Sequence, residues 1–81
     1  MQVRIRLFAR LRELAGSAEL HRDVPEGATV ANLWDVLAAE FPGMRPHAPS
    51  VSSAVNEEFA RKTTRLNDGD EVAFLPPVSG G

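Results

Sequence analysis

The chain has 81 residues, of which 43% are hydrophobic and 25% charged, and its formal net charge is −2 at pH 7. A chain of this length forms one small domain with a single core. Because no basic surplus exists to neutralise phosphates, we expect no nucleic-acid partner. No apolar run approaches the length of a membrane span and no leader pattern opens the chain, so we expect a cytoplasmic protein without a membrane partner.

Side chains that bind metals or form covalent intermediates are scarce. Cysteine is absent, which excludes disulfides, thiolate metal sites and cysteine nucleophiles, and the two histidines, His21 and His47, lie far apart. The acidic segment Asn67-Asp68-Gly69-Asp70 lacks the spaced ligands and the distant Glu of a calcium loop, so we interpret it as a turn. We therefore expect no metal site.

The first third of the chain predicts two strands separated by a helical turn. Apolar and polar residues alternate from Gln2 to Ala9, which is typical of a strand with one face in the core. Phe8 departs from the pattern, since it shares the outer face with Arg4 and Arg6. The next predicted segments are a short helical turn at Arg10–Ala15, its C-terminal cap at Gly16, and a weaker strand at Ser17–Val24.

The clearest predicted element is an amphipathic helix that follows a Pro25-Glu26-Gly27 turn. Thr29 is placed to cap its N-terminus, and Pro42-Gly43 ends it. We interpret the apolar stripe around Trp34 as a face directed at the core, in preference to a ligand site. The stripe consists of Val30, Leu33, Trp34, Leu37, Ala38 and Phe41.

The second half predicts short strands joined by turns. Gly43 to Ser50 contains Pro46 and Pro49 and is expected to cross the surface as a loop. The remaining segments are predicted as a strand at 51–55, a turn at 56–58, an irregular segment at 59–66 with a short strand at Phe59, a turn at 67–70 and a last strand at 71–75.

An exposed apolar patch is predicted if the first and last strands are neighbours. Val72 and Phe74 face the core in the last strand, so Leu75 faces outward, as Phe8 does in the first. Phe59 extends this patch, and an exposed apolar patch on a small protein indicates a partner. An alternative in which Phe8 packs beneath a loop stays equally open.

The chain closes with Pro76-Pro77-Val78-Ser79-Gly80-Gly81. Two adjacent prolines remove two backbone donors, so a regular strand does not continue through them. We expect a domain at 1–75 and an extended tail at 76–81, which reaches roughly 20 Å when fully extended. Gly80 and Gly81 leave the end of that tail without bulk.

Three stretches of this sequence resemble the MoaD family, the small subunits of molybdopterin synthase, which are ubiquitin-like sulfur carriers. They are Phe8-Ala9-Arg10-Leu11-Arg12-Glu13-Leu14-Ala15-Gly16, then Ala54-Val55-Asn56, and then residues 68–81, the most specific part. The resemblance spans nearly the whole chain. It implies an α+β fold of the β-grasp type, in which a mixed sheet of four to five strands wraps one main helix and its first and last strands pair in parallel.

The resemblance also implies a chemical role for the C-terminus, with no permanently bound cofactor and no catalysis by the isolated chain. An activating enzyme uses ATP to adenylate the Gly81 carboxylate, next to Gly80, and a persulfide donor then converts it to a thiocarboxylate. The large synthase subunit, in an implied heterotetramer of two small and two large subunits, receives the tail and passes the sulfur to a cyclic pyranopterin precursor. Adenylation suits this task, because a carboxylate is a poor electrophile until it acquires a leaving group.

The partner-facing residues of the family map by resemblance onto a small set in this chain. They are Phe8, Arg12, Phe59, Leu75, Pro76, Pro77, Val78 and Ser79. The sequence departs from the family at Leu75, where aromatic residues are frequent, and at Ser79, where Thr is common. Arg12 also fits a solvated charge at a helix end.

Other functions remain open on the sequence alone. Sulfur carriers for thiamine or for a thiolated RNA base also end in two glycines, although they typically lack the paired prolines. A ubiquitin-like modifier that forms isopeptide bonds with lysines, and a β-grasp adaptor whose glycines have no chemical role, are the remaining alternatives.

Overall fold

The computed structural model describes residues 1–77, and they form one five-stranded mixed sheet with helices on its inner face. The strands are β1 (Gln2–Leu7), β2 (Glu19–Asp23), β3 (Ser52–Val55), β4 (Glu58–Ala60) and β5 (Glu71–Leu75), and their order across the sheet is β2-β1-β5-β3-β4. β1 and β5 pair in parallel at the centre, and the other neighbours are antiparallel. The predicted pairing of the first and last strands is therefore confirmed.

The first helix, α1 (Ala9–Ala15), begins directly after β1. The strand predicted to reach Ala9 ends at Leu7. Phe8 is still extended, as the N-cap of α1, and Ala9 turns the chain with a φ of 52°. Gly16 ends the helix with a φ of 73°, and its N–H bonds to the Arg12 carbonyl. This left-handed cap confirms the prediction for Gly16 and explains why glycine suits the position.

The second helix, α2 (Val30–Glu40), crosses the inner face of the sheet. Its predicted stripe is confirmed for Val30, Leu33, Trp34, Leu37 and Ala38, which are buried. The sixth predicted residue, Phe41, follows the helix as its C-cap and is half-buried against the core. Thr29 accepts a hydrogen bond from the Asn32 N–H, and the Asn32 side chain accepts one from the Thr29 N–H. This reciprocal capping satisfies two backbone donors that a helix start otherwise leaves unpaired.

The prediction of a surface loop from Gly43 to Ser50 is wrong for residues 43–47. A 3₁₀ helix spans Pro42–His47, and its Met44 side chain is fully buried in the core. Proline at the start of this helix costs no hydrogen bond, because the first N–H groups lack intrahelical partners anyway. A Cβ on Gly43 would lie 2.8 Å from Leu14 Cδ2, so glycine permits the close approach to α1.

The core lies between the inner sheet face and the helices. Ile5, Leu7, Val72 and Phe74 contribute from the two central strands, and the Trp34 and Phe74 rings lie 5.2 Å apart at 60°. In the part of the chain that the structure describes, no helix is long and apolar enough to cross a membrane. Of the predicted tail, residues 78–81, including Gly80 and Gly81, lie outside the described residues.

Candidate functional site

The outer face of the sheet carries the residues that the sequence singled out. Strand register places Arg6 beside Ala73, Ala73 beside Ala54, and Ala54 beside Phe59, so these four residues form one row across four strands. Residues that share a row and alternate with core residues project to the same face. No helix or strand of residues 1–77 packs over this row, since the helices lie on the inner face.

Phe8 and Leu75 lie together at one end of this face. Leu7 pairs with Phe74 in the parallel ladder, so the next residues, Phe8 and Leu75, continue side by side where the two strands end. Each is 36% exposed, whereas Leu7 and Phe74 are buried. The predicted outward placement of both residues is confirmed.

Phe59 lies at the far edge of the same face and is 84% exposed. Neighbouring strands are about 4.8 Å apart, so β4, two strands from β5, places Phe59 about 10 Å from the line of Leu75. On β3, between these two strands, Ala54 lies beside Phe59 and Ser52 lies beside Leu75. Ala54 and its β5 neighbour Ala73 have short side chains, which leave a shallow floor between larger ones. We call Phe8, Leu75, Phe59 and this alanine floor the apolar patch.

Charged side chains border the patch on the β1 side. Glu71 accepts a hydrogen bond from Arg4 Nη2 at 2.7 Å, and its other carboxylate oxygen lies 3.6 Å from Arg6 Nη1. The Arg6 guanidinium carbon lies 5.4 Å from the centroid of the Phe8 ring, which is within the range of a cation–π contact. Arg12 is exposed one helical turn after Phe8, and its side chain has no ion pair within residues 1–77.

The base of the tail adjoins the patch. Strand β5 ends at Leu75, after which Pro76 is half-buried and Pro77 is exposed. The predicted partner residues Val78 and Ser79 and the predicted reactive residues Gly80 and Gly81 lie outside the described residues. The structure thus brings Phe8, Leu75, Pro76 and Pro77 together, whereas Phe59 stands apart across the alanine floor.

A hydrogen-bond network joins the C-terminal end of β3 to the N-terminal end of β5, at the end of these strands away from Leu75. The carboxylate of Asp70, which is 8% exposed, accepts from Asn56 Nδ2 at 2.9 Å and from the Asn67 N–H at 2.7 Å. Asn56 Oδ1 in turn accepts from the Glu71 N–H at 3.0 Å. Because β3 and β5 carry the floor alanines, this network indirectly fixes the shape of the patch.

Sequence reasoning missed Arg6 and the floor alanines as parts of the site. Arg6 lies two residues before Phe8, and residues at this spacing in a strand share a face. That spacing was the signal that could have identified Arg6. Ala54 and Ala73 carried no such signal, since their meeting depends on the pairing of β3 with β5.

Other chemistry in the described chain lies away from the patch. The pKa of the Glu40 carboxyl is lowered, chiefly by hydrogen bonds from Arg22, and the pKa of Arg22 is raised by the same contact. This pair joins β2 to the end of α2. Within residues 1–77, no three His, Asp or Glu side chains are grouped so as to hold a metal ion.

Comparison with known proteins identifies the family. The ThiS family matches residues 5–81 of the chain. The chain belongs to the ThiS family. A curated relative, the molybdopterin synthase sulfur carrier subunit of Mycobacterium tuberculosis, is 39% identical over 82 residues that cover 100% of this chain and 99% of the relative. The resemblance to molybdopterin synthase small subunits is thereby confirmed.

Solved structures confirm the ubiquitin-like β-grasp fold. SAMP1 from Haloferax volcanii, a small archaeal modifier protein, matches with a TM-score of 0.86 and 32% identity, covering 100% of both chains. A chain from the complex of subunits 1 and 2 of the molybdopterin-converting factor from Helicobacter pylori matches with a TM-score of 0.71 and 26% identity, again covering 100% of both. The similar proteins thus include some named as sulfur carriers and some named as modifiers.

Proposed function

We propose that this chain is the sulfur carrier subunit of a molybdopterin synthase, and that its working group is the Gly81 carboxylate. The observation that carries the proposal is the placement of Leu75, which belongs to the exposed apolar patch and is also the last residue of β5. A partner that covers the patch therefore lies at the point where the chain continues toward Gly81. The relative named a molybdopterin synthase sulfur carrier subunit, similar over its whole length, supports this function over others.

The proposed chemistry proceeds in three steps on one atom group. The Gly81 carboxylate attacks the α-phosphate of ATP in the activating enzyme, which releases pyrophosphate and leaves an acyl adenylate. The terminal sulfur of a persulfide attacks the carbonyl carbon and AMP leaves; a thiol then cleaves the remaining S–S bond and leaves a thiocarboxylate. Glycines at 80 and 81 place no Cβ in the path of attack.

The chain itself supplies the docking surface and the delivery arm in this proposal. Phe8, Leu75 and Phe59 contact the large subunit, Arg12 contributes a charge, and the tail from Pro76 to Ser79 enters the active site of the partner. Proline restricts the tail before it binds, which lowers the entropy cost of insertion. Two successive sulfur transfers would complete a dithiolene on the pyranopterin precursor within a heterotetramer of two small and two large subunits.

Intact-mass measurement tests the proposed chemistry. The purified chain, treated with a cognate activating enzyme, ATP and a persulfide donor, is expected to gain the mass difference of one sulfur replacing one oxygen. Deletion of Gly81 removes the residue that the activating enzyme adenylates, so molybdopterin formation is expected to be lost with an unchanged melting temperature. Synthesis at the wild-type rate by the deletion variant would exclude the mechanism.

A protein modifier is the second candidate, favoured by the similarity to SAMP1. Its distinguishing product is an isopeptide bond between Gly81 and a lysine amine. Lys62 is the only lysine in the sequence and is exposed, so self-conjugation through a side chain is limited to one site. Incubation with activating enzyme and ATP, without a sulfur donor, tests this candidate: a modifier yields covalent dimers that Lys62→Arg abolishes, whereas a carrier remains monomeric on a denaturing gel.

A further inference from the structure

Arg6 occupies an unusual position among the charges of the outer face. Arg4 already forms the short hydrogen bond to Glu71, and Arg6 Nη1 lies 3.6 Å from the other carboxylate oxygen, which is too long for a hydrogen bond. Within residues 1–77, the Arg6 side chain donates no hydrogen bond. A guanidinium carries five N–H donors, so Arg6 keeps hydrogen-bond donors for an external acceptor beside its 3.6 Å ion pair with Glu71.

The Phe8 ring orients the Arg6 guanidinium beside the patch. The guanidinium carbon lies 5.4 Å from the ring centroid, and the side chain remains 48% exposed. A planar guanidinium over an aromatic ring still presents its N–H edge outward. Because the ring limits its freedom in advance, Arg6 loses less side-chain entropy when an acceptor binds.

The remaining charges nearby do not satisfy Arg6. Glu19 lies beside Arg6 in the register of β1 and β2, but its carboxylate lies 3.3 Å from His21 Nε2. Glu71 is shared with Arg4, which holds it more closely. Within residues 1–77, the contact of Arg6 with an acidic side chain is therefore the 3.6 Å ion pair with Glu71 Oε1, and no carboxylate accepts a hydrogen bond from it.

We propose that Arg6 is a specificity-determining residue that receives a carboxylate from the protein that covers the apolar patch. The partner surface is then an apolar depression for Phe8 and Leu75 with an Asp or Glu at its margin. Planar, bidentate pairing makes a carboxylate the natural protein acceptor for a guanidinium. A phosphate-rich partner is disfavoured, since the chain has a net charge of −2 and the carboxylates of Glu71 and Glu19 lie on the same face as Arg6.

This inference rests on the proposed function only for the identity of the partner, the large synthase subunit. The test is the affinity of purified large subunit for the wild-type chain and for Arg6→Gln, Arg6→Lys and Arg45→Gln. Arg45→Gln is the matched control, because Arg45 is an exposed arginine on the 3₁₀ helix, on the inner side of the sheet. Melting temperatures of all variants show whether any loss of binding reflects misfolding.

Removing the Arg6 guanidinium is expected to weaken binding about tenfold or more, since loss of one member of an interfacial charge pair acts mainly on dissociation. Arg6→Lys is expected to fall between wild type and Arg6→Gln, because lysine keeps the charge but not the fork. Arg45→Gln is expected to bind within about twofold of wild type. When the paired Asp or Glu of the large subunit is replaced by Ala, Arg6→Gln should cause no further loss of affinity. The substitution that has this effect identifies the paired carboxylate.

The outcomes distinguish a failure of the role of Arg6 from a failure of the proposed function. If the wild-type chain binds the large subunit and accepts sulfur, but Arg6→Gln binds as tightly as Arg45→Gln, the role of Arg6 is overturned and the proposed function stands. If every carboxylate substitution in the partner weakens binding of the wild-type chain and of the Arg6→Gln variant equally, the pairing is overturned. Absence of any wild-type binding or thiocarboxylate overturns the proposed function and this inference together.

Discussion

Asp70 shows how one residue can have a structural role that its sequence context conceals. The motif Asn67-Asp68-Gly69-Asp70 is predicted as a turn, and the structure agrees. However, the Asp70 carboxylate turns inward, where it bonds to Asn56 and to the Asn67 N–H. A sequence pattern does not reveal this contact with Asn56, which lies 14 residues away and depends on the pairing of β3 with β5.

Replacement of Asp70 by Ala is expected to lower the free energy of unfolding by about 2–3 kcal/mol, because Asn56 and the Asn67 N–H lose a charged acceptor. For a domain of this size, the melting temperature should fall by about 10–15 °C. Asp70→Asn keeps the shape and one acceptor oxygen, so its loss should be smaller. Urea denaturation measures both, and an Asp70→Ala variant within about 0.5 kcal/mol of wild type would contradict the assigned role.

The two helical segments after β2 illustrate the scale of single elements. Helix α2 was predicted correctly from its stripe, its Thr29 cap and its Pro42-Gly43 end, because all these signals are local. The 3₁₀ helix was missed, since its prolines and glycine are equally typical of a loop. What stabilises it is the burial of Met44 and the approach of Gly43 to Leu14, and both are tertiary contacts.

The ion pair between β2 and α2 gives a pH-dependent prediction. Arg22 donates from Nε to one Glu40 oxygen at 2.9 Å and from Nη2 to the other, and the pKa of Glu40 is lowered as a result. A lowered folded-state pKa means that this stabilisation is present above the ordinary carboxyl value of about 4.3 and is lost as the pH falls through the folded value. The stability difference between wild type and Glu40→Gln should therefore be present at neutral pH and vanish in acid.

Urea denaturation at about pH 7 and at about pH 3 measures this difference. Glu26→Gln is the control, since Glu26 is exposed in a turn and forms no ion pair within residues 1–77. A stability difference for Glu40→Gln that is equal at both pH values would contradict the assignment. The effect should be small, because the Glu40 side chain is 40% exposed to solvent.

The apolar patch is a property of the whole molecule, since its residues come from β3, β4 and β5 and from the end of β1. The outward direction of Phe8 and Leu75 could be predicted from alternation within each strand. The position of Phe59 across an alanine floor could not, because it requires the strand order β5-β3-β4. The family resemblance supplied the strand pairing that periodicity alone left conditional.

Phe8→Ala is expected to weaken binding of the large subunit about tenfold or more while changing the free energy of unfolding by less than about 1 kcal/mol. Val36→Ala is the matched control, because Val36 is 39% exposed on α2, on the other side of the sheet, and Phe8 is 36% exposed. The control should bind as wild type does. Calorimetric titration and thermal denaturation give both quantities, and a large stability loss with unchanged binding would instead show that Phe8 is a packing residue.

Features of this protein that depend on short-range chemistry could be predicted from the order of its residues. Alternation set the two faces of the first and last strands, helical periodicity and a capping threonine defined α2, and paired prolines set the end of β5. Contacts between distant segments became visible only in the folded chain. They are the burial of Met44, the hydrogen bond from Asn56 to Asp70, and the row from Arg6 to Phe59. The physical reason is that backbone preference and side-chain spacing act over a few residues, whereas strand order follows from burying all apolar faces at once.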